Sequence, residues 1–297
     1  MTDSLKLGTR GSPLALAQAQ MVAAALAAAH GVAVEIVVVR TTGDRVQDRP
    51  LAEIGGKALW TKELDRALLD GEIDFAVHSM KDVETIRPDA IAIAAMLPRA
   101  DVRDRLVGAA SIAALPAGAR IGTSSPRRAA QLRHLRPDVG IVPFRGNVDT
   151  RLAKLAGGEA DATLLAAAGL ARLGRYDVGT AVPVETLLPA PAQGAVGIEA
   201  RAEDAGTRDL LGAIGDAATF ACVMAERALL AALGGTCHSP IAALAECRGG
   251  RIRLRAEIYG EDGAERVAGE EVDDPAALAA RLLGGASSAL RHLFGGG

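Results

Sequence analysis

Aromatic residues are scarce in this chain of 297 residues, where Trp, Tyr and Phe together make up 2%. Hydrophobic residues nevertheless reach 49%, so the cores must be built from Ala, Leu, Val and Ile, with many alanine-rich helices. Charged residues make up 23%, which is ordinary for a soluble globular protein. A chain of this length predicts two or three domains, because single cores rarely grow beyond about 250–300 residues.

Cysteine is rare as well. The chain has three cysteines, Cys222, Cys237 and Cys247, and so small an odd number excludes a disulfide framework. The first residues, MTDSLKLGTRGSP, lack the basic-then-apolar pattern of an export signal. The apolar stretch 14–30 is interrupted by Gln18 and is predicted to be too short to span a bilayer. We therefore expect a reducing, cytoplasmic location and no membrane contact.

An excess of basic charge is also absent. The formal net charge is −3 and the pI about 6.0, whereas a general nucleic-acid binder needs a basic face. We expect no nucleic-acid partner. Cys237 and His238 lie side by side, but one cysteine and one histidine are too few for a zinc site, so no metal site is predicted.

Two series of alternating strand and helix patterns follow one another along the chain. The first has strands at 5–10, 32–41, 72–80 and 90–97, with helices at 13–29 and 55–71. The second has strands at 119–125 and 139–146, helices at 126–136 and 147–158, and a strand followed by a helix within 161–174. Alternation of this kind is typical of α/β domains with mostly parallel sheets.

The C-terminal part has a different pattern. It has a helix at 218–233, a glycine-rich loop, strands at 252–260 and 265–272 and a last helix from Pro275. The Pro- and Gly-rich segment 184–200 is interpreted as a return connection. The predicted domains are an α/β domain of residues 1–97 and 196–214, a second α/β domain of 101–189, and an α+β domain of 216–297.

Polar side chains cluster at the ends of the predicted strands, where open α/β sheets bind ligands. The clusters are Arg10 and Ser12; Ser79, Lys81 and Asp82; Thr123, Ser124, Ser125, Arg127 and Arg128; and Arg145, Asn147 and Arg151. Helix N-termini bind anions, and Arg binds carboxylate or phosphate with two hydrogen bonds. The clusters predict a small polyanionic ligand; the alternative for Arg127 and Arg128 is a solvated helix face.

The stretch HSMKD at 78–82 follows a short apolar run. Asp82 in a cationic site would stabilise a developing cation or move a proton to or from a nitrogen. The alternative is a surface pair of Lys81 and Asp82, which would contribute little. His78 lies on the opposite face from Ser79 and is either structural or part of the site.

Cys237 lies in the glycine-rich loop LGGTCHSPI. An exposed thiol there would be a nucleophile or a covalent attachment point, whereas a lone cysteine is more often a small buried hydrophobic residue. Cys222, inside an apolar helix, and Cys247, before a turn, are predicted to be inert.

These segments, taken in order, resemble the porphobilinogen deaminase (hydroxymethylbilane synthase) family of tetrapyrrole biosynthesis. The matching motifs run nearly end to end: TRGSPLALAQ, TTGD, GGKALWTKEL, DFAVHSMKDV, IGTSSPRRAAQL, FRGNVDTRL, LAAAGLARLG, PAQGAVGIE, AERALL and GGTCHSPI. The resemblance implies two α/β domains similar to type II periplasmic binding proteins, and a small α+β domain that carries the cofactor cysteine.

The resemblance also implies a mechanism. One dipyrromethane cofactor per chain is attached through a thioether to Cys237. Four porphobilinogen molecules condense on it in turn, each losing ammonia, and water releases the linear tetrapyrrole. Asp82 is the catalytic group at the pyrrole nitrogens. The family is a transferase, and we expect a monomer.

The remaining site residues are also implied by the resemblance. Cofactor contacts are assigned to Ser79, Lys81, Asp82, Thr123, Ser125, Arg127, Arg128, Arg145 and Gly146; substrate contacts to Arg10, Ser12, Arg151, Arg172 and Gln193; and the lid to Lys57 and Trp60. Two features depart from the family pattern: Trp60 stands where Phe is common, and Glu84-Thr85 stands where Pro-Thr is usual. The competing hypothesis is a binding module that closes on a dicarboxylate or an oxyanion without chemistry, which has no need of Cys237.

Overall fold

A computed structural model describes residues 4–39, 58–236 and 238–294 of the chain, with only the backbone for residues 58–60. The chain divides into two compact units. Unit 1 comprises Met1–Ala100 and Gly194–Phe220, and unit 2 comprises Asp101–Gln193 and Ala221–Gly297.

Unit 1 is built on a five-stranded sheet with the order β2-β1-β3-β10-β4. Its strands are β1 (Leu5–Thr9), β2 (Val34–Val38), β3 (Phe75–Ser79), β4 (Ile91–Met96) and β10 (Val196–Arg201). Its helices are α1 (Pro13–His30), α2 (Ala58–Leu69) and α6 (Ala205–Gly212). β1 pairs parallel with β2 and β3, whereas β10 runs antiparallel between β3 and β4.

Helix α1 begins and ends where its sequence predicts. The Ser12 hydroxyl accepts a hydrogen bond from the Ala15 amide, Pro13 occupies the first turn, and Gly31 ends the helix at φ 67°. This helix of 18 residues is long and apolar enough to cross a membrane, judged by length and composition only, so the prediction that the stretch is too short is wrong. A core helix of a soluble protein passes the same test, and α1 packs on the sheet through residues that include Val22 and Leu26.

Unit 2 contains a second five-stranded sheet, with the order β7-β6-β8-β5-β9. Its strands are β5 (Asp104–Val107), β6 (Arg120–Gly122), β7 (Gly140–Val142), β8 (Ala162–Ala166) and β9 (Thr180–Ala181). Its helices are α3 (Pro126–Leu135), α4 (Val148–Ala156) and α5 (Ala167–Arg172). β6 pairs parallel with β7 and β8, and β5 runs antiparallel to β8. The two sheets therefore share one pattern, in which one antiparallel strand follows three parallel strands: β10 lies beside β3 in unit 1, and β5 lies beside β8 in unit 2.

The rest of unit 2 is an antiparallel three-stranded sheet with helices on one face. The elements are β11 (Ile241–Arg248), β12 (Arg251–Tyr259), β13 (Arg266–Val272), α7 (Ala217–Ala232), α8 (Pro275–Gly285) and α9 (Ser288–His292); the first turn of α7, up to Phe220, belongs to unit 1. Leu229, Leu254 and Leu278 are buried between the helices and the sheet. The other face of β11 packs Leu244 against Leu188 of the preceding α/β part.

The predicted fold class, α/β lobes with a small α+β part, is confirmed by these sheets. Four strands were missed: β5, the two-residue β9, β10 and β11. β10 lies in the segment interpreted as a return connection, and β11 lies directly after the glycine-rich loop. The predicted boundaries of three domains stay a prediction.

Candidate active site

A pocket in unit 1 surrounds the end of β3. Its volume is about 70 Å³, several times the roughly 10–15 Å³ that one water needs. The lining residues are Arg10, Ser12, Leu14, Ala15, Gln18, Thr61, Val77, His78, Ser79, Asp82 and Val83. Four predicted site residues, Arg10, Ser12, Ser79 and Asp82, are thus brought together. The pocket combines a cation, hydroxyls and a carboxylate.

The turn that carries Asp82 is short and rests on β10. After β3 the chain forms a single 3-10 turn, Met80–Asp82. The Met80 amide donates to the carbonyl of Ala195 at 3.1 Å. The Met80 side chain is buried and fills the space above Gly197, where a Cβ would lie 2.0 Å from its sulfur. Lys81 and Asp82 on this turn are half-buried.

Gln18 holds Ser79 in the pocket wall. The Ser79 hydroxyl oxygen lies 2.8 Å from Nε2 and 3.2 Å from Oε1 of Gln18, whose residue is 2% exposed. Sequence reasoning treated Gln18 only as an interruption of an apolar helix. Its place on the buried stripe of α1, beside Ala19 and Val22, was the signal that it had a buried polar partner.

His78 is buried and paired with a carboxylate behind the pocket. Its Nε2 lies 3.1 Å from Oε2 of Glu199, a fully buried residue of β10. Arg87 binds the same carboxylate through two hydrogen bonds, of 2.8 and 2.9 Å. Burial raises the pKa of Glu199, but His78 and Arg87 outweigh it and lower that pKa to about 2. Neither Glu199 nor Arg87 was singled out from the sequence.

In unit 2 the carboxyl ends of β6 and β7 carry the predicted anion-binding residues. Ser125 caps α3, its hydroxyl accepting a hydrogen bond from the Arg128 amide, and Thr123 accepts one from the Ser125 amide at 3.1 Å. Gly122, at the end of β6, leaves room for the ring of Phe144, which would lie 2.4 Å from an added Cβ. Residues 123–128 thus form a helix N-terminus at the sheet edge, a geometry that suits anions.

Arg127 and Arg128 are buried around Asp104, which sequence reasoning missed. They are 3% and 5% exposed, so the alternative of a solvated helix face is wrong. Arg127 donates to Asp104 at 2.7 Å and Arg128 at 2.6 Å. Burial raises the pKa of Asp104, but the two guanidinium groups hold it well below its usual range. Two cations face one carboxylate, so one positive charge is left in this trio.

Among the described residues, some hydrogen-bond donors around Asp104 have acceptors and others do not. Gln193 donates to Asp104 at 2.9 Å and to the carbonyl of Val102 at 2.8 Å. The buried Nε atoms of Arg127 and Arg128 have no hydrogen-bond partner within the described part of the chain. Buried donors of this kind are rare and call for an acceptor such as a ligand or a water.

Gly146 shapes the turn between β7 and α4. Its φ is 105° and an added Cβ would lie 2.6 Å from Thr150, so the position requires glycine. Arg151 donates to the carbonyl of Gly146 at 3.0 Å, and Arg145 beside it is half-buried. Arg172, at the end of α5, is also half-buried, and burial lowers the pKa of its guanidinium to about 10.

Three predicted residues cannot be placed in this geometry. Cys237 and Lys57 lie outside the described residues, and of Trp60 only the backbone, in α2, is described. Cys222 is buried inside α7, and Cys247 is exposed. Over residues 4–39, 58–236 and 238–294, no group of three or more His, Cys, Asp or Glu side chains could hold a metal ion.

Two family models match the chain. "Porphobilinogen deaminase, dipyromethane cofactor binding domain" matches residues 5–209, and "Porphobilinogen deaminase, C-terminal domain" matches residues 220–284. Together they cover most of unit 1, the α/β part of unit 2, and the C-terminal sheet with most of α7 and α8.

Curated relatives carry the same name. The porphobilinogen deaminase of Sphingopyxis alaskensis is 61% identical, over 98% of this chain and 97% of its own. That of Paracoccus denitrificans is 55% identical, over 94% and 91%. Among solved structures, a periplasmic substrate-binding protein from Coxiella burnetii is 16% identical, over 73% of this chain and 94% of its own, with a TM-score of 0.43. A likeness of that size adds nothing to the fold established by the sheets.

Proposed function

The chain belongs to the porphobilinogen deaminase family, transferases of porphyrin biosynthesis with a dipyrromethane cofactor, and we propose that Asp82 is its catalytic carboxylate and Cys237 its point of cofactor attachment. The substrate is porphobilinogen. Each addition breaks the bond between the aminomethyl carbon of one porphobilinogen and its nitrogen, and joins that carbon to a carbon of a second pyrrole ring. The amine leaves as ammonia with the hydrogen displaced from that ring, and water finally frees the linear tetrapyrrole. The pocket that brings Asp82 together with Arg10, Ser12 and Ser79 is the observation that carries this proposal.

Asp82 acts on charge that develops in the substrate. Departure of ammonia leaves a cation on the ring, and a carboxylate held nearby stabilises that cation more than it stabilises the neutral substrate. The same carboxylate accepts a hydrogen bond from the pyrrole N–H as the positive charge develops. Arg10 and the Ser12 hydroxyl bind substrate carboxylates and orient the ring, and Ser79 contacts the cofactor.

The donors of unit 2 fit a polyanionic cofactor. Each pyrrole ring bears two carboxylates, which need cations and N–H donors. The Asp104 trio carries one uncompensated positive charge and two buried donors without described partners. Thr123, Ser125, Arg145 and Gly146 supply further donors for the cofactor at the same sheet edge, whereas Arg151, Arg172 and Gln193 contact the substrate. When bound, the cofactor supplies the nucleophilic pyrrole end on which the chain grows.

Each chain holds one cofactor through a thioether to Cys237. Lys81 is among the residues that contact the cofactor, and Lys57 and Trp60 belong to the lid. The enzyme works as a cytoplasmic monomer without nucleic-acid or membrane partners. The low, odd cysteine count and the absence of a basic excess support this setting.

Intact mass of the denatured protein tests the attachment. We expect the wild-type chain to exceed its sequence mass by two linked pyrrole units, and Cys237→Ser to show the sequence mass alone. Cys247→Ser is the matched control, because that cysteine is exposed but lies outside the motif; it should keep the added mass. An unmodified wild-type chain, even after incubation with porphobilinogen, would contradict the proposal.

A further inference from the structure

The segment that follows Asp82 is neither helix nor strand, and the buried side chain of Arg87 anchors it. Over residues 83–87 the chain bends without regular structure. Ile86 is 80% exposed, whereas the next side chain, Arg87, is 6% exposed. A cation buried between exposed neighbours must be bound to the body of unit 1, since burying it unpaired costs too much.

Arg87 is bound by carboxylates from two other elements and from its own loop. Its guanidinium contacts Glu199 of β10 at 2.8 and 2.9 Å, Asp65 of α2 at 2.5 Å and Glu84 at 3.4 Å. The pair with Glu199 is bidentate, which fixes direction as well as distance. Arg87 thereby ties the loop to a strand and a helix.

Glu199 links this anchor to the strand that leads into the pocket. Its Oε2 lies 3.1 Å from Nε2 of His78, and His78 both lines the pocket and precedes Ser79 on β3. One carboxylate therefore contacts the chain on both sides of the Met80–Asp82 turn: it lies 3.1 Å from His78 before the turn and is bound by Arg87 after it. The turn itself is a single 3-10 turn of three residues, a kind of helix with poorer hydrogen-bond geometry than an α-helix.

We propose that Arg87 is a positioning residue for Asp82: with Glu199 it fixes the loop that follows the catalytic turn. The inference rests on the proposed function of Asp82. It goes beyond the resemblance, because Arg87 lies in the ETIRP segment that departs from the family pattern. Arg87 acts through the turn and does not touch the reacting atoms.

The test compares Arg87→Met with Arg201→Met. Arg201 also lies in unit 1 and is partly buried, bound to the carbonyls of Leu68 and Ile73 and to Asp204. We expect Arg87→Met to lower kcat by about 10- to 100-fold, the scale of a misplacement of about 1 Å, with KM changed by less than about twofold. The mass added at Cys237 stays unchanged. Arg201→Met should lower Tm but keep kcat at a temperature where both variants are folded.

Two results would overturn the inference. One is a wild-type kcat in folded Arg87→Met; the other is an equal loss of kcat in Arg201→Met at an equal loss of Tm. If Arg87→Met does not fold, Arg87→Lys keeps the cation but not the bidentate pair, and a wild-type kcat in that variant also overturns it. Asp82→Asn separates the two proposals. If Asp82→Asn is active, the catalytic assignment of Asp82 fails. If Asp82→Asn is inactive and Arg87→Met is fully active, only the positioning role of Arg87 fails.

Discussion

Asp82 and Asp104 are two carboxylates at sheet edges whose different surroundings suit them to different roles. Asp104 is fully buried and is bound by two guanidinium groups, so it fixes the positions of those arginines. Asp82 is half-buried and lines a pocket, so a ligand can reach it. The residue type is the same, and only the packing separates a structural carboxylate from a candidate catalytic one.

Asp82→Asn is expected to keep the fold and the mass added at Cys237 but to lose most turnover, because a neutral amide does not stabilise a developing cation. Steady-state kinetics and intact mass measure the two effects separately. The matched control is Asp89→Asn, an exposed carboxylate seven positions on, which should leave kcat unchanged. Near-normal turnover in Asp82→Asn would contradict the catalytic role.

Glu199 makes stability depend on pH in a predictable direction. Its pKa is lowered in the folded chain from 4.5 to about 2, so its stabilising contribution is present above pH 4.5 and is lost as the pH falls towards 2. The shift corresponds to about 3 kcal/mol at most. We expect Glu199→Gln to have a lower Tm than wild type at pH 6, and the gap to shrink steadily towards pH 3. A gap that does not depend on pH would contradict this.

At the scale of elements, strand β10 comes from a distant part of the chain and supports the pocket. It returns to unit 1 after unit 2 has begun, runs antiparallel to β3, and places Val196 opposite Ser79. Its Gly197 leaves room for Met80, and its Glu199 binds His78 and Arg87. The strand therefore supports the Asp82 turn by backbone, by packing and by charge.

Gly197→Ala tests this support. The added methyl must displace the buried Met80 side chain, and such overpacking costs about 1–3 kcal/mol. We expect a lower Tm together with a lower kcat, measured by thermal unfolding and steady-state kinetics. Gly212→Ala, on α6 with nothing within 4 Å of the new methyl, should change neither. A normal kcat in folded Gly197→Ala would show that the turn tolerates a shift of Met80.

At the scale of the molecule, one buried carboxylate of unit 2 makes hydrogen bonds both to the C-terminal sheet and to the segment that leads to it from the α/β part. Glu226 of α7 is fully buried and accepts hydrogen bonds from the Ala192 amide at 2.5 Å and the Ala245 amide at 2.7 Å. Ala192 adopts φ 61°, a conformation that costs free energy outside glycine. The carboxylate therefore holds the segment that leads to Gln193 against the C-terminal sheet.

Glu226→Ala should destabilise unit 2 by at least about 1.5–3 kcal/mol, because it removes bonds to a charged acceptor and leaves buried amides unpaired. Denaturant unfolding should show a lower midpoint. Glu261→Ala, an exposed carboxylate in the same unit, is the control and should change the midpoint little. Equal midpoints for wild type and Glu226→Ala would show that the other contacts between the two sheets are sufficient, among them the packing of Leu188 on Leu244 and the hydrogen bond from the Ala243 amide to the Pro189 carbonyl at 3.0 Å.

Local sequence determined most elements of this protein. The caps at Ser12 and Ser125, the prolines after them and the glycine stop at Gly31 fix helix ends through short-range hydrogen bonds and allowed φ values. Alternation of strands and helices determined the α/β class. The order of the motifs determined the family, and with it the candidate residues at strand ends.

Tertiary structure alone decided which polar groups face one another. Asp104 lies more than 20 positions before its arginines, and Glu199 lies 112 positions from Arg87. No local pattern encodes such pairs, because the antiparallel strands β5 and β10 bring them together from distant parts of the chain. The strands β5, β10 and β11 were missed for the same reason: charged, glycine-containing and alanine-rich segments become strands only when a neighbouring strand accepts their backbone hydrogen bonds.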